Sequence, residues 1–378
     1  MATLAYFDWN ASGRLRPQAQ AAITAALSET GNPSSIHAAG RAARHRVELA
    51  REQVAALVGV AARDVVFTSG GTEANMLALS PALGDGLLAS AIEHPSVRSG
   101  GRFLAVEDIP VTAAGVVDLA ALERLVAERS RPLVSLMLAN NETGVIQPVA
   151  KAAAIVHAAG GLIHVDAVQG LGRIACDFKA LGADLMTLSS HKIGGPQGVG
   201  ALVGRDGLVL NPLIRGGGQE RGARAGTENV AGIAGFGAAA EAVRQGLAPE
   251  AGHMMALRDK FEAGLKAITP EAAVFGEAAA RLPNTTLFGM SGMKAETAVI
   301  AFDLEGVAVS SGAACSSGKV APSHVLAAMG VAPELARSAI RVSLGYTTTD
   351  EDVGTILKAW AKLSEGLYKI RNNQVIAA

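Results

Sequence analysis

The chain has 378 residues, 49% of them hydrophobic and 18% charged, with 33 Lys and Arg against 34 Asp and Glu. Such a length suggests one large domain plus a smaller one, and the apolar content excludes a disordered chain. A formal net charge of −1, without a long basic run, offers no field for nucleic acid or anionic lipid, so neither partner is expected.

The opening MATLAYFDWN lacks a cationic stretch followed by an apolar one and does not read as a signal peptide. No apolar run reaches the ~18 residues of a membrane span. The two cysteines, Cys176 and Cys315, lie far apart, which argues against a disulfide scaffold or a zinc site. A soluble, cytoplasmic protein without membrane association is expected.

Along the chain, short β-type runs alternate with helical patterns: DVVFTS, GLLASAIEH, RPLVSLMLANN, GLIHVDAVQ, DLMTLSSHK and GALVG, with segments such as DLAALERLVAERS and VAKAAAIVHAAG between some of them. Near-continuous apolar strands separated by helices predict an α/β fold on a buried, mostly parallel sheet. Polar residues gather where these runs end, at Thr72-Glu73, Glu93-His94, Asn140-Asn141-Glu142, Asp166 and Ser189 to Lys192. Ligands of open α/β sheets bind at the carboxyl ends of strands, so one site could collect all five groups.

An Ala-rich helical region follows, roughly residues 228–268. Beyond it NTTLFGM, AVIAFDLEG and AIRVSLGY read as strands of a small α+β domain. The boundary is placed near Ala251, giving a large domain of residues 14–251 and a small one of residues 1–13 and 252–378.

Three segments suggest chemistry. Lys192 follows an apolar strand and precedes a glycine-rich turn; partial desolvation there frees an amine for attack on carbonyls. Alone it would read as a solvated lysine. Asp166 ends a strand, where a buried carboxylate needs a cationic partner; alone it would read as a helix cap. Lys192 bonded to a carbonyl cofactor, with Asp166 holding a protonated pyridine nitrogen, is the arrangement pyridoxal 5'-phosphate requires. Gln169 lies close enough in sequence to orient the cofactor hydroxyl. In FTSGGTEANMLAL, backbone amides at a helix start, with the Thr72 hydroxyl, suit a phosphate, and Ser189 and His191 can donate to the same anion. A nucleotide P-loop is rejected around Cys315, because five residues rather than four separate Gly312 from Gly318 and Val320 replaces the required Ser or Thr. No dinucleotide fingerprint follows a strand.

The strings GNPSSIHAAGR, TSGGTEAN, NNETGVIQP, HVDAVQ, SSHKIGGPQGVGAL, GGGQERGARAGTEN, SSGAACSSG and IRVSLG, in this order and nearly end to end, resemble the cysteine desulfurases. These are fold-type I, class V aminotransferase-like pyridoxal phosphate enzymes, which implies a sheet of seven-stranded type in the large domain. The resemblance implies that Lys192 bonds the cofactor, Asp166 pairs with its ring nitrogen, and His94 stacks on the ring and shuttles protons. It further implies that Asn141 and Gln169 contact the ring hydroxyl, while Gly71, Thr72, Ser189 and His191 hold the phosphate. Thr227 would reach the phosphate of a neighbouring subunit, hence a homodimer, and Arg341 would clamp the carboxylate of L-cysteine. Asn32 and His37 would shape the floor or entrance of the site.

By the same resemblance Cys315, set in the loop of about residues 309–322, accepts the sulfur of L-cysteine as a persulfide, alanine leaves, and the sulfur passes to an acceptor such as an iron–sulfur scaffold. The residues around Cys315 are similar to the long-loop subgroup, and a transient iron contact at Cys315 during hand-off is a further expectation. Ser/Gly/Ala flanks leave such a thiol unpinned. Cys176 reads as a packed structural cysteine. Asn10-Ala11-Ser12-Gly13 departs from the family's Asn-Ala-Thr-Thr pattern and is expected to touch none of the catalytic residues. A selenocysteine lyase or another class V aminotransferase is the enzymatic alternative, and an inert sulfur-carrier or scaffold-binding subunit the non-enzymatic one.

Overall fold

A computed structural model describes residues 4–312 and 323–376, with the side chains of the last helix described to residue 366. Cys315 and most of its loop therefore lie outside the described residues. The chain begins with a short strand, β1 (Ala5–Tyr6), and two helices, α1 (Pro17–Leu27) and α2 (Ala38–Val58). His37 caps α2, its Nδ1 accepting from the Gly40 N–H at 3.3 Å, and Gly59 closes the helix at φ 73°. A left-handed terminal residue of this kind favours glycine.

The first large unit alternates strand and helix: β2 (Val65–Thr68), α3 (Gly71–Ala78), β3 (Gly86–Ser90), α4 (Pro95–Arg98), β4 (Val106–Ile109), α5 (Leu119–Ala127), β5 (Pro132–Ser135), α6 (Val149–Ala158), β6 (Leu162–Asp166), β7 (Leu185–Ser189) and β8 (Gly200–Gly204). The seven strands lie in the order β2-β8-β7-β6-β5-β3-β4. β8 alone runs antiparallel to its neighbours. The strand between the sheet's faces must be apolar on both sides, and β2, β5 and β7 are buried at every position. β4 departs from this because it is the edge: Glu107 and Asp108 are exposed, which blunts the open edge and hides the strand from a search for apolar runs.

α7 (Val230–Ile268) then spans 39 residues. Its first half places Ile233, Phe236 and Val243 in the core on the large sheet, and its second half places Leu257, Phe261 and Leu265 in a separate core. Pro249 lies between. There Glu250 accepts two hydrogen bonds from Arg16, at 2.8 and 2.6 Å.

The C-terminal elements are β9 (Ala273–Val274), β10 (Thr285–Gly289), α8 (Ala295–Leu304), β11 (Val307–Ala308), β12 (Ser310–Ser311), α9 (His324–Ala328), α10 (Pro333–Ala336), β13 (Ile340–Ser343) and α11 (Asp350–Ile376). Of these, α8, β13 and α11 pack into the second core, whereas Val325 and Leu326 of α9 and Ala336 of α10 pack with Ile92 and Met137 in a separate cluster. Four strands form an antiparallel sheet, β12-β13-β10-β9, and β1 pairs with β11 in parallel. The N-terminal strand thus packs with C-terminal elements. Phe7, Phe288, Phe302 and Trp360 are fully buried here, Phe288 meeting Trp360 edge-on at 5.1 Å. Burial of each such side chain contributes about 1.5–3 kcal/mol.

One expected strand is corrected. AVIAFDLEG belongs to α8, whose buried residues Ala295, Ala298 and Phe302 fall three and four apart, the period of one helical face. Among the described residues, no helix is long and apolar enough to cross a membrane.

Candidate active site

Five strands of the large sheet, β2, β3, β5, β6 and β7, run in one direction, so their carboxyl ends share one edge. A cavity of about 320 Å³ opens there. Its lining includes Gly71 and Thr72 after β2, His94 after β3, Asn141 after β5, Asp166 and Gln169 from β6 and its turn, and Ser189, His191 and Lys192 from β7 onward, with Arg341 from the small sheet. Residues scattered over 271 positions of the sequence thus meet in one space, as the strand-end clustering implies.

Asp166 sits at the floor, largely buried. Its Oδ2 accepts from Asn75 Nδ2 at 3.0 Å and its Oδ1 from the Val168 N–H at 3.0 Å. Lys192 Nζ donates to the backbone carbonyls of Asn10 at 2.5 Å and Ala11 at 2.8 Å. His191 is held neutral: burial, then Lys192 and Arg173, push it down to about 4. His94 is lowered as well, by burial first, against the raising influence of Asp166. At the start of α3, Gly70 offers no capping side chain and Gly71 and Thr72 of the first turn line the cavity, a helix start suited to a bound anion. A Cβ at Gly71 would come within 3.2 Å of Val168 Cγ2, so glycine keeps this corner open.

These residues fit pyridoxal phosphate. Gln169 lines the cavity, and its buried Oε1, which has no hydrogen-bond partner among the described residues, is an acceptor left for a ring hydroxyl. The carboxylate floor, the amine and the helix start supply the other three partners such a cofactor needs.

Arg341 is 2% exposed. Nη1 donates to the Asn141 carbonyl at 3.0 Å and Nη2 to Asp8 Oδ1 at 2.8 Å, while its Nε has no partner among the described residues.

Two expected residues stand apart. Thr227 is exposed and lines a second cavity of about 260 Å³ with Ser69 and Arg224. Cys315 lies outside the described residues. Asn32 and His37 lie outside the main cavity; Asn32 Oδ1 accepts from the Ser34 N–H at 2.9 Å in a turn. Cys176 is buried, its thiol pushed up to about 12 by burial, as a structural cysteine should be.

The expectation for the N-terminus is overturned. Asn10 and Ala11 contact Lys192 directly, Ser12 Oγ lies 3.3 Å from His191 Nδ1, and the Gly13 N–H donates to the His191 carbonyl at 2.8 Å. The segment crosses the end of β7 because β1 anchors it in the second core, a placement no local pattern reveals. Sequence reasoning also missed Asn10, Asn75 and Ser96. For Asn75 a signal existed, since it lies three residues beyond Thr72 and shares its helix face.

Residues 5–356 match the family model "Aminotransferase class-V". The chain is 43% identical to a cysteine desulfurase of Cereibacter sphaeroides over 93% of its own length and 94% of the relative's. It is 40% identical to cysteine desulfurase IscS 1 of Archaeoglobus fulgidus, with 96% and 97% covered. A NifS-like protein from Rickettsia africae superposes with a TM-score of 0.89 at 38% identity, over 97% of this chain and 99% of that one. A cavity built for pyridoxal phosphate and similarity over almost the whole chain agree: the protein belongs to the class-V aminotransferase family and, within it, to the cysteine desulfurases.

Proposed function

We propose that the protein converts L-cysteine to L-alanine with pyridoxal phosphate and takes the sulfur onto Cys315. The observation that carries this reading is the convergence of Lys192, Asp166, His94, Gln169 and Arg341 on one cavity. When bound, the cofactor supplies an electron sink that weakens bonds around the substrate's α and β carbons.

The chain's own residues supply the rest. Lys192 would hold the cofactor aldehyde and Asp166 its ring nitrogen, keeping that nitrogen protonated. Thr72, Ser189 and the neutral His191 would donate to the phosphate, with the amides at the start of α3 adding their dipole. Gln169 and Asn141 would orient the ring hydroxyl. Arg341, already fixed by Asp8 and the Asn141 carbonyl, would receive the substrate carboxylate and so set which substrate atom faces Cys315.

For sulfur capture, the Cys315 thiolate attacks the substrate sulfur. An S–S bond forms as the C–S bond breaks, its electron pair stays with the carbon fragment, and protonation of that carbon yields alanine. One L-cysteine and one thiol become one alanine and one persulfide, with no external oxidant. From the persulfide, sulfur would pass to an acceptor protein for iron–sulfur assembly or thiolation. The exposure of Thr227, outside its own chain's cavity, supports a homodimer in which it reaches the second copy. A cytoplasmic location and the division of the chain within α7 belong to the same proposal.

Wild type and Cys315→Ala are incubated with L-cysteine while the cofactor spectrum, alanine and sulfide are followed. Spectral change on substrate binding with loss of sulfide and alanine in the variant supports Cys315 as acceptor. A variant that desulfurates as fast as wild type overturns it in favour of a lyase that needs no protein thiol.

A further inference from the structure

His94 heads a short helix and is tied to it by its own ring. Nδ1 lies 3.1 Å from the Ser96 backbone nitrogen, which donates to it, and 2.7 Å from Ser96 Oγ. Ser96 Oγ in turn accepts from Asn75 Nδ2 at 2.9 Å, and the same amide nitrogen donates to Asp166 Oδ2 at 3.0 Å. Four side chains from α3, α4 and β6 therefore form one connected path from the cavity floor to the histidine.

The direction of every bond in this path is determined. A carboxylate oxygen accepts and never donates, so the Asn75 amide must turn its NH2 toward Asp166. One N–H goes to Asp166 and the other to Ser96 Oγ. Ser96 then accepts from Asn75 and keeps its own proton to donate, and His94 Nδ1 is the acceptor within reach. The backbone N–H of Ser96, which cannot reverse, points at the same nitrogen. Nδ1 is therefore an acceptor twice over, and in the neutral ring the proton sits on Nε2.

We propose that Ser96 and Asn75 are positioning residues that lock His94 as the neutral, Nε2-protonated tautomer, so that His94 offers the cavity an N–H donor rather than a lone pair. Protonation of Nδ1 would set an N–H against the fixed Ser96 N–H and require the hydroxyl to reverse. Among the described residues, the charged and titratable groups acting on the ring are Asp166, Lys192 and His324. The neighbouring Glu93 is buried, and that burial raises it well above its ordinary value. The consequence for catalysis rests on the cavity being the reaction site; the tautomer itself does not, and is read independently of turnover.

The test is 15N NMR of the full-length holoenzyme labelled at histidine, with the His94 signals assigned by their loss in His94→Gln. The expected result is an unprotonated Nδ1 and a protonated Nε2 throughout pH 6 to 9. In Ser96→Ala the titration midpoint of His94 should rise by roughly 0.5–1 pH unit, the effect of losing one hydrogen bond to the neutral form, and Ser96→Thr should restore it. Asn75→Leu should produce a similar rise. A proton on Nδ1 in the wild type, a doubly protonated ring at neutral pH, or an unmoved midpoint in Ser96→Ala would each overturn the proposal. The wild-type measurement decides even if a variant fails to fold.

Discussion

Arg341 and Asp8 form an ion pair at 2.8 Å that joins β13 to the strand-end segment of the N-terminus, with the guanidinium almost wholly buried and the carboxylate partly open to solvent. The pair holds one edge of the guanidinium and leaves Nε unpartnered among the described residues. A substrate carboxylate would then meet a guanidinium already fixed in orientation. Lysine presents one ammonium in place of this planar fork and cannot keep Asp8, the Asn141 carbonyl and a carboxylate together. Arg341→Lys should raise KM for L-cysteine by about tenfold or more with a smaller change in kcat. Steady-state kinetics check this; an unchanged KM removes Arg341 from substrate binding.

Glu142 is buried, and Ser323 Oγ donates to it at 2.5 Å at the head of α9. Burial raises its carboxyl from an ordinary 4.5 to about 7, against the lowering effects of Ser323 and Arg341. Between these two values the unfolded chain gives up the proton that the folded chain retains. This group's contribution to stability therefore falls as pH rises from 4.5 to 7 and is flat beyond. Glu142→Gln keeps an acceptor for Ser323 without the charge. Its melting temperature relative to wild type should increase between pH 5 and pH 8, by an amount on the order of 2–3 kcal/mol of unfolding free energy. A pH-independent difference would refute this assignment.

His164 behaves with the opposite sign. It is fully buried between Ser135 Oγ and Thr187 Oγ1, each at 2.9 Å, and burial lowers it from 6.5 to about 4. Below pH 6.5 the unfolded chain binds a proton that the folded chain refuses, so stability declines as pH falls toward 4. His164→Asn should flatten that decline while costing stability at pH 7, because the amide is too short to reach both hydroxyls. Urea denaturation at pH 5 and 7 measures both effects.

Asn10 is 1% exposed and joins the cavity to the small sheet. Its amide donates to Thr285 Oγ1 at 2.9 Å and to the Asn141 carbonyl at 3.2 Å, and its carbonyl accepts from Gln169 and Lys192. Asn10→Ala leaves buried acceptors unpaired and should cost about 2–3 kcal/mol. It should also lower cofactor occupancy, since the carbonyl that meets Lys192 loses its anchor. Thermal melts and the visible absorbance of the purified protein report the two losses separately, and retention of both would refute the role.

Much of this architecture is legible in the residues themselves. The buried strands announce themselves as apolar runs because both faces of a parallel sheet are covered, and Thr72-Glu73, Glu93-His94, Asn140 to Glu142, Asp166 and Ser189 to Lys192 stand out as polar where those runs stop. The β4 edge strand escaped because an edge can carry Glu107 and Asp108. The α8 helix was mistaken because a short apolar run suits either period until its partners are known.

The sequence by itself determined which residue types stand at the strand ends, and through them the chemistry open to the site: an amine, a carboxylate, an imidazole and a guanidinium. Side-chain identity and local periodicity are properties of short segments, so a linear reading suffices for them. Only the tertiary structure decided that Asn10 to Gly13 crosses Lys192, that Asp8 holds Arg341, and that Asn75 and Ser96 connect Asp166 to His94. Those contacts join segments up to 333 positions apart, and each exists because β-sheet closure and core packing bring distant chain together, which no local rule encodes.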